Sequence, residues 1–264
     1  MRYYDQEHRR LVYIEENATP EFWDRQWEDE KLKKYVLTGQ TERFVYPTTK
    51  KYLKPGARIL EGGCGKGRFV YSLHSKGYET YGLDFAERVI VRLKSLFPNM
   101  HFELGDVRHL PYQDDFFDGY WSLGVIEHFY DGYEAIAREM ERVIKPDGYL
   151  FLTFPHMSLL RKIKAFLGFY PLFNRNNFET KNFYQFALPD QPVIQTFKKF
   201  GFELVECRPY DGFKGVKDES GLLKPVFQSI YNGKSIFNRI IEYGFSFITS
   251  PFAGHAVLLV LRKK

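Results

Sequence analysis

Apolar, strand-like runs alternate regularly with amphipathic helical runs between residues 57 and 155. In order, the strand-like runs read ARILEGG, YETYGLD, MHFELGD, FFDGYWSLGV and GYLFLTFP, and helical spacing recurs between them. Strands that alternate with helices of about three turns are typical of right-handed βαβ units around a parallel sheet. The chain is therefore predicted to have an α/β fold that binds its ligand at the carboxyl ends of the strands.

The composition favours a folded chain of modest charge. The chain has 264 residues, of which 44% are apolar and 27% charged, so we expect a buried core rather than disorder. Its net charge of +5 is compatible with an anionic ligand or a membrane surface, but it is too small to indicate a nucleic-acid partner. The charge therefore gives no indication of a nucleic-acid partner, and none is expected.

The cysteines and the chain termini predict a reduced compartment. Two cysteines, Cys64 and Cys207, indicate neither a disulfide framework nor a metal cluster. The first residues, MRYYDQEHRR, lack the apolar core of a signal peptide. The apolar run 245–261 contains Pro251, Gly254 and His255 and is short for a membrane span. A soluble, cytoplasmic enzyme is expected.

A glycine-rich turn, EGGCGKG, follows the first strand-like run of the alternating region. Gly63, Gly65 and Gly67 allow a tight turn and a close approach of the backbone to a ligand, and the next helix offers its N-terminus. A dinucleotide-binding turn would have its third glycine where Arg68 stands. The turn thus predicts a nucleotide-like cofactor without identifying it.

Acidic residues end three of the strand-like runs: Glu61, Asp84 and Asp106. Asp84 lies 19 residues after Gly65, close to the spacing of about 20 expected for a carboxylate that binds ribose hydroxyls. It is also placed to cap the following helix, and both roles can coexist. Three acids suit a ligand with a ribose, an adenine and a cationic amino-acid tail better than they suit the pyrophosphate of NAD.

Five successive segments resemble the motifs of class I S-adenosylmethionine-dependent methyltransferases: ILEGGCGKG, GLDFA, LGDVRHLPYQDDF, FDGYWSLGVIEHF and VIKPDGYLFLTFP. The run FALPDQPVIQTFKKFGFELVE and the terminal HAVLLVLRKK are similar to the last helix and strands of that family. The resemblance implies a doubly wound, mostly parallel seven-stranded sheet. It also implies S-adenosylmethionine as cofactor, with S-adenosylhomocysteine as product.

The resemblance assigns one group of residues to the methionine half of the cofactor. Glu61 corresponds to the acid that holds the amino group, and Gly63 and Gly65 to the glycines that pass close to the cofactor. Leu123 and Gly124 correspond to residues near the methionine moiety. The position of Gly62 departs from the family pattern, which has an aliphatic residue there.

A second group is assigned to the adenosine half. Asp84 is expected to bind the ribose hydroxyls and Phe85 to flank the adenine, whose amino edge Asp106 and the Val107 backbone would read.

Arg43 is a further expected cofactor residue, because an arginine there pairs with the methionine carboxylate in similar small-molecule methyltransferases. Trp23 and Trp27 are placed to close over the site. A solvated arginine and ordinary helix-packing tryptophans remain the alternatives.

The segment VIEHF places Glu127 and His128 directly after the fourth strand-like run. His128 is the candidate general base for an oxygen acceptor, because a histidine pKa lies near working pH. In similar families this histidine sometimes only lines the pocket, and His156 is a second candidate. The motifs of nucleic-acid amino methylation and the acid cluster of metal-dependent catechol enzymes are absent from the sequence, so no metal is predicted.

The domain prediction divides the chain into two parts. Residues 1–54 are expected to form an N-terminal helical segment that covers the cofactor site, with an irregular start, a helix from Thr19 and a second helix over residues 42–53. Residues 55–264 form the methyltransferase domain, with lid-forming insertions at about 156–190 and at 211–253, the latter expected to be irregular.

The first insertion contains a basic amphipathic stretch, MSLLRKIKAFLGFYPLF. An apolar face is predicted at Leu159, Leu160, Ile163, Phe166, Leu167 and Tyr170, with Arg161, Lys162 and Lys164 opposite or flanking it. Three interpretations remain open: a lid over the acceptor, a helix resting on a membrane, and a dimer surface.

The sequence therefore predicts methyl transfer to a small molecule, with a hydroxyl of a lipid, quinone, polyketide or glycan intermediate as the expected acceptor. A NAD-dependent oxidoreductase and a non-catalytic cofactor-binding protein are the alternatives.

Overall fold

The computed structural model describes residues 1–15, 18–27, 32–37, 44–175, 178–221, 224–233 and 235–264. Two β-sheets occur within these ranges. Their strands are β1 (Arg2–Asp5), β2 (Arg10–Ile14), β3 (Arg58–Gly62), β4 (Glu79–Asp84), β5 (His101–Leu104), β6 (Phe117–Leu123), β7 (Ile144–Pro155), β8 (Phe183–Ala187), β9 (Phe202–Tyr210) and β10 (Ala256–Lys263).

The larger sheet has seven strands in the order β5-β4-β3-β6-β7-β10-β9. Strands β3 to β7 pair in parallel, and β10 runs antiparallel between β7 and β9. Successive side chains of β7 point to opposite faces, so that Leu150 and Leu152 join one buried cluster and Phe151 another. The predicted doubly wound, mostly parallel seven-stranded sheet is confirmed.

The helices that cover the two faces of this sheet include α4 (Arg68–His74), α5 (Glu87–Leu96) and α6 (Glu134–Val143) of the alternating region and α8 (Asp190–Lys199) after the first insertion. Helix α6 shows why they pack as they do, since Ile136, Ala137, Met140 and Val143 form one buried stripe at helical spacing. The strand-to-helix loops thus meet at the carboxyl edge of the sheet.

Among the described residues before β3, three helices occur: α1 (Pro20–Trp27), α2 (Leu32–Leu37) and α3 (Val45–Tyr52). The Thr19 hydroxyl accepts a hydrogen bond from the Phe22 amide at 3.2 Å, as expected for a residue that caps α1. Helix α3 is tied to the sheet because the Trp121 indole donates to the Thr49 hydroxyl at 3.0 Å.

The first residues are not irregular, and this prediction is wrong. Strands β1 and β2 form an antiparallel hairpin, and β2 also pairs with β8 from the first insertion, giving a three-stranded sheet in the order β1-β2-β8. The predicted N-terminal helical segment therefore begins with strands. Pairing with a partner some 170 residues away along the chain cannot be read from local spacing.

The second insertion is helical rather than irregular, which corrects the other irregular region of the prediction. It contains α9 (Gly212–Glu219), α10 (Lys224–Asn232) and α11 (Ile236–Ala253). The first insertion contributes α7 (Leu159–Phe166), which contacts α11. Among the described residues, no helix combines the length and the apolar character needed to cross a bilayer.

Candidate functional site

The ends of β3, β4, β5 and β6 enclose a cavity of about 360 Å³ at the carboxyl edge of the larger sheet. Its lining combines glycine backbone, two carboxylates and several aromatic rings. The lining residues are Ala18, Trp23, Gly63, Asp84, Phe85, Gly105, Asp106, Val107, Arg108, Leu123, Gly124, Val125, His128 and Phe129.

The glycine turn brings backbone to the wall of this cavity. The Gly63 amide donates to the Leu83 carbonyl at 2.8 Å, which fixes the turn against the end of β4. Gly63 has a φ of +77°, and a Cβ atom there would lie 2.5 Å from a methyl group of Val125. Both the backbone conformation and the contact therefore require glycine at this position.

Asp84 joins two loops of the site through its carboxylate. One oxygen accepts from the Gly65 amide at 2.8 Å and the other from the Ala86 amide at 2.9 Å. Burial raises the pKa of this carboxyl above its usual value, against the lowering effect of these amide donors. Each oxygen retains a lone pair that can accept from a ligand hydroxyl.

Asp106 forms a two-pronged ion pair with Arg108. The Arg108 Nη2–Oδ2 distance is 2.6 Å, and Nε lies 3.0 Å from both carboxylate oxygens. Partial burial alone would raise the pKa of Asp106, but the hydrogen bonds and charge of Arg108 hold that pKa below its usual value. The Arg108 guanidinium also lies over the Phe129 ring, 5.4 Å from its centre. Asp106 is thus an ionised acceptor with a fixed orientation.

His128 lies at the end of a short 3₁₀ turn, Ile126–His128, that follows β6. Its Nδ1 donates to the Tyr184 carbonyl of β8 at 2.7 Å, and its ring contacts Trp23 edge to face at 5.3 Å between ring centres. Burial lowers the pKa of the imidazole to about 4. The ring is therefore neutral near pH 7, with Nε2 as its basic nitrogen.

The neighbouring residue, Glu127, is buried beneath the turn that contains Gly124. Its Oε2 has no hydrogen-bond partner among the residues that the structure describes. Burial raises the pKa of this carboxyl to about 8, so the folded protein holds it mostly protonated near pH 7.

Most of the predicted site residues lie together around the cavity. Eight of them line it: Gly63, Asp84, Phe85, Asp106, Val107, Leu123, Gly124 and His128. Gly65 instead contacts Asp84, and Glu61 is buried in β3 opposite Gly82 of β4 and Trp121 of β6. Their predicted contacts with a ligand stay predictions.

Several other predicted positions have different outcomes. Arg43 lies outside the described residues, as does the side chain of Trp27. Trp23 lines the cavity. His156, the second histidine candidate, is buried with Nε2 3.6 Å from an oxygen of Asp190 and lines neither the cavity nor the groove described below.

Sequence reasoning missed five residues of the cavity wall: Ala18, Gly105, Arg108, Val125 and Phe129. Arg108 carried a usable signal, because a cation two residues after a strand-end acid is well placed to bind it. Ala18 and Phe129 carried none, since their positions depend on how α1 and the loop after β6 fold over the sheet.

A second, larger depression of about 1330 Å³ adjoins the cavity and shares Phe129 with it. We call it the groove. The β1–β2 turn, the loop 129–134, helix α7 and the start of α8 form its walls, and its aromatic and charged side chains include Arg10, Tyr130, Tyr133, Lys162, Arg175 and Phe186. The Arg10 guanidinium stacks on the Phe186 ring, 3.6 Å from its centre.

Comparison with known proteins agrees with this geometry. Residues 60–152 match the family model described as a methyltransferase domain. The demethylmenaquinone methyltransferase of Staphylococcus haemolyticus is 28% identical over 180 residues, which cover 61% of this chain and 74% of that protein. Methyltransferase GfsG of Streptomyces halstedii is 34% identical over 105 residues, 37% of each chain.

Solved structures share the fold over nearly the whole chain. A TehB-like S-adenosylmethionine-dependent methyltransferase from Corynebacterium glutamicum has a TM-score of 0.54 at 17% identity, covering 93% of this chain and 98% of its own. The [4+2]-cyclase SpnF has a TM-score of 0.56 at 15% identity, covering 96% and 98%. At these identities the likeness concerns the fold, which supports more than one chemistry.

Proposed function

The chain belongs to the class I S-adenosylmethionine-dependent methyltransferases, and from this premise we propose that it methylates a hydroxyl oxygen of an amphipathic small molecule. When bound, S-adenosylmethionine would supply an electrophilic methyl group, whose carbon the acceptor oxygen would attack in line with the C–S bond, and S-adenosylhomocysteine would leave as the thioether. The protein contributes binding, alignment, exclusion of water and removal of the hydroxyl proton.

The cavity fits the cofactor in size and chemistry. Its volume of about 360 Å³ lies within the range of small-molecule sites, about 300–1,000 Å³. We propose that Asp84 accepts from the ribose hydroxyls, that Phe85 flanks the adenine, and that Asp106 with the Val107 amide binds its amino edge. The exposed ring of Phe85 and the fixed carboxylate of Asp106 support this assignment. Leu123 and Gly124 are then placed against the methionine end.

The neutral, oriented imidazole of His128 is the observation on which the proposed oxygen acceptor rests. Because Nδ1 donates to the Tyr184 carbonyl, Nε2 carries the lone pair that accepts the proton. As the C–O bond forms and the C–S bond breaks, the acceptor oxygen becomes strongly acidic. A base with a pKa of about 4 is then strong enough, and it needs no prior deprotonation at neutral pH.

The groove supports an acceptor that is both polar and apolar. It meets the cofactor cavity at Phe129 and offers aromatic faces such as Tyr130 and Phe186 beside the cations of Arg10 and Arg175. Relatives bear names that specify apolar or amphipathic substrates, among them demethylmenaquinone and phthiotriol/phenolphthiotriol dimycocerosates. We propose that the acceptor comes from the class of hydroxylated lipids, quinols and lipid-linked sugars.

The test is transfer of a radiolabelled methyl group from S-adenosylmethionine to a panel of hydroquinones, hydroxylated lipids and lipid-linked sugars. His128→Asn is expected to lower kcat by about 10²–10⁴ with little change in the Kd for S-adenosylhomocysteine, because proton removal is lost while the cavity remains. Asp84→Asn should instead weaken cofactor binding, measured by calorimetry. His74→Asn, at the exposed end of α4, serves as the matched control and should change neither quantity.

The pH profile gives an independent check. Because His128 must be neutral, kcat/KM should be level from pH 8 down to about pH 5 and fall as the pH drops through about 4. An acid limb near pH 6.5, or full turnover by His128→Asn, would remove His128 from the base role. Thermal stabilisation by NAD but not by S-adenosylmethionine would overturn the cofactor assignment.

A further inference from the structure

The side of α7 that contains Arg161 faces the protein interior, and its apolar side faces solvent. The side chain of Arg161 is only 1% exposed, whereas Phe166 is 90% exposed. Leu159, Ile163 and Leu167 are exposed as well. The predicted apolar face is therefore real over the helix, but it points to solvent, and a residue predicted for the polar side is buried. Tyr170 lies beyond the helix end and is buried.

Specific polar contacts hold α7 in this orientation. Glu219 of α9 accepts from Arg161 Nε at 3.1 Å, from Lys164 Nζ at 2.8 Å and from the Tyr170 hydroxyl at 2.7 Å. The Arg161 Nη1 also donates to the His156 carbonyl at 2.7 Å. Because a buried guanidinium is tolerated only with such partners, these bonds fix which side of α7 faces the solvent.

Helix α11 is oriented in the same way. On its inner side, the hydroxyls of Ser246 and Ser250 accept from the amides of Phe213 and Gly212 at the start of α9, each at 3.0 Å. Phe247, on the outer side, is 85% exposed. The exposed apolar residues of α11 recur at helical spacing: Ile236, Phe237, Ile240, Phe247, Ile248 and Phe252.

Helices α7 and α11 contact each other, and we call their exposed apolar residues together the platform: Leu159, Ile163, Phe166, Leu167 and Phe169 from α7 and the turn after it, with Ile236, Phe237, Ile240, Phe247 and Ile248 from α11. Soluble monomers rarely expose so many large apolar side chains on two neighbouring helices without a partner. The hydrogen bonds from the inner sides of α7 and α11 to the rest of the protein hold these apolar side chains at the surface.

Positive charge accompanies the platform. Arg161 and Lys164 are ion-paired with Glu219 on the inner side of α7, so the exposed charge comes from other side chains. Lys162 is about half exposed next to the apolar face of α7, with Nζ 3.8 Å from an oxygen of Asp190, and Arg239 is exposed on α11 beside Ile240. An apolar face bordered by lysine and arginine is the pattern of helices that lie in the interface of an anionic membrane.

We propose that the platform docks on the surface of an anionic phospholipid membrane. Its apolar side chains would enter the acyl boundary, and the bordering cations would contact lipid phosphates. A second copy of the chain is the competing occupant of an apolar surface, and the test below separates the two.

The position of the platform also connects it to the groove. Two residues of α7 take part in both features. Lys162 lines the groove and borders the platform, and Phe166 lines the groove and is part of the platform. A protein docked in this way would open its groove beside the lipid surface. If the proposed amphipathic acceptor is the substrate, it can then enter without leaving the membrane, and this last step alone rests on the proposed function.

The test is flotation of the purified full chain with two kinds of vesicle, phosphatidylcholine alone and phosphatidylcholine mixed with phosphatidylglycerol. The chain should float with the mixed vesicles only, and raising the salt concentration should weaken binding because the charges are exposed. The double substitution Leu167→Glu and Phe247→Glu should reduce binding at least about tenfold, since two carboxylates would enter the apolar boundary. Val91→Glu, at an equally apolar exposed site on α5, is the matched control and should float normally.

Absence of wild-type flotation with the mixed vesicles would overturn the proposal, as would equal flotation by the double variant. So would a dimer in sedimentation velocity that the double substitution dissociates, because the platform would then be the contact between two copies. Circular dichroism and retained calorimetric binding of S-adenosylhomocysteine show that the variant is folded. The vesicle assay contains neither cofactor nor acceptor, so its failure leaves the methyl-transfer proposal unaffected.

Discussion

At the scale of single residues, Glu127 and His128 are adjacent, and burial shifts their pKa values in opposite directions. Both shifts favour the neutral form, so two ionisable side chains stand uncharged next to the cofactor cavity near pH 7. The imidazole of His128 is therefore unprotonated at neutral pH and can accept a proton. For Glu127 the pKa shift makes the stability of the protein depend on pH.

The sign of this dependence follows from proton binding. The pKa of Glu127 is raised from 4.5 to about 8 on folding, so the folded protein holds a proton that the unfolded chain releases between these values. The free energy of unfolding should therefore fall as the pH rises from about 4.5 through 8. Glu127→Gln, which is neutral at every pH, should lose less thermal stability than the wild type between pH 5 and pH 8, measured by calorimetric Tm.

The exposed Glu87→Gln variant on α5 is the control and should follow the wild type. His128 acts in the opposite sense at lower pH, because its lowered pKa reduces stability as the pH falls from about 6.5 to 4. Equal pH slopes for wild type and Glu127→Gln would contradict the shifted pKa of Glu127.

At the scale of elements, the end of β3 departs from the family pattern at Gly62, and the structure supplies the reason. The buried ring of Tyr120 on β6 occupies the space where a side chain would stand: a Cβ atom at Gly62 would lie 1.9 Å from its hydroxyl oxygen and 2.6 Å from Cζ. The Tyr120 side chain therefore fills the space beside Gly62, so the glycine does not loosen the end of β3.

Gly62→Ala should accordingly destabilise the protein by about 1–3 kcal/mol, the usual cost of overpacking a core, measured by urea unfolding. Adding Tyr120→Leu should recover part of that loss, so that the two substitutions together cost less than their sum. Gly244→Ala on the open side of α11 is the control, and it should be neutral or stabilise by up to about 1 kcal/mol. Simple additivity in the double variant would show that Tyr120 is not the obstacle.

At the scale of the whole molecule, Glu219 links parts that are distant along the chain. Besides the contacts to α7, its carboxylate accepts from Arg2 of β1, so one buried side chain joins the N-terminal hairpin, the first insertion and α9. Although burial opposes ionisation, Arg2 and Arg161 lower the pKa of Glu219 below its usual value.

Glu219→Gln should cost about 3–5 kcal/mol in urea unfolding, because it leaves the guanidinium of Arg161 buried without its counter-charge. Hydrogen exchange should show loss of amide protection in β1 and α7 together. The control is Glu103→Gln, which removes an exposed pair with Lys94 and should cost no more than about 1 kcal/mol. A similar small cost for Glu219→Gln, with unchanged exchange, would show that these segments are held in place independently of Glu219.

Local sequence patterns were enough to predict the central sheet and most of the cavity. Strand and helix periods are local, and the carboxyl ends of parallel strands meet at one edge, so the positions of Gly63, Asp84 and Asp106 follow from their places after successive strands. The glycine turn, the strand-end acids and the histidine after β6 could therefore be assigned before any coordinates.

The elements that surround the central sheet could not be predicted from such patterns. The pairing of β2 with β8, the contact by which β8 orients His128, the groove and the outward face of α7 all depend on contacts between residues far apart in sequence. An amphipathic pattern states that a helix has two sides, but it does not state which side faces the protein. Here the buried bonds of Arg161 to Glu219 and to backbone carbonyls decide this, because a charge removed from water must be satisfied before an apolar side is covered.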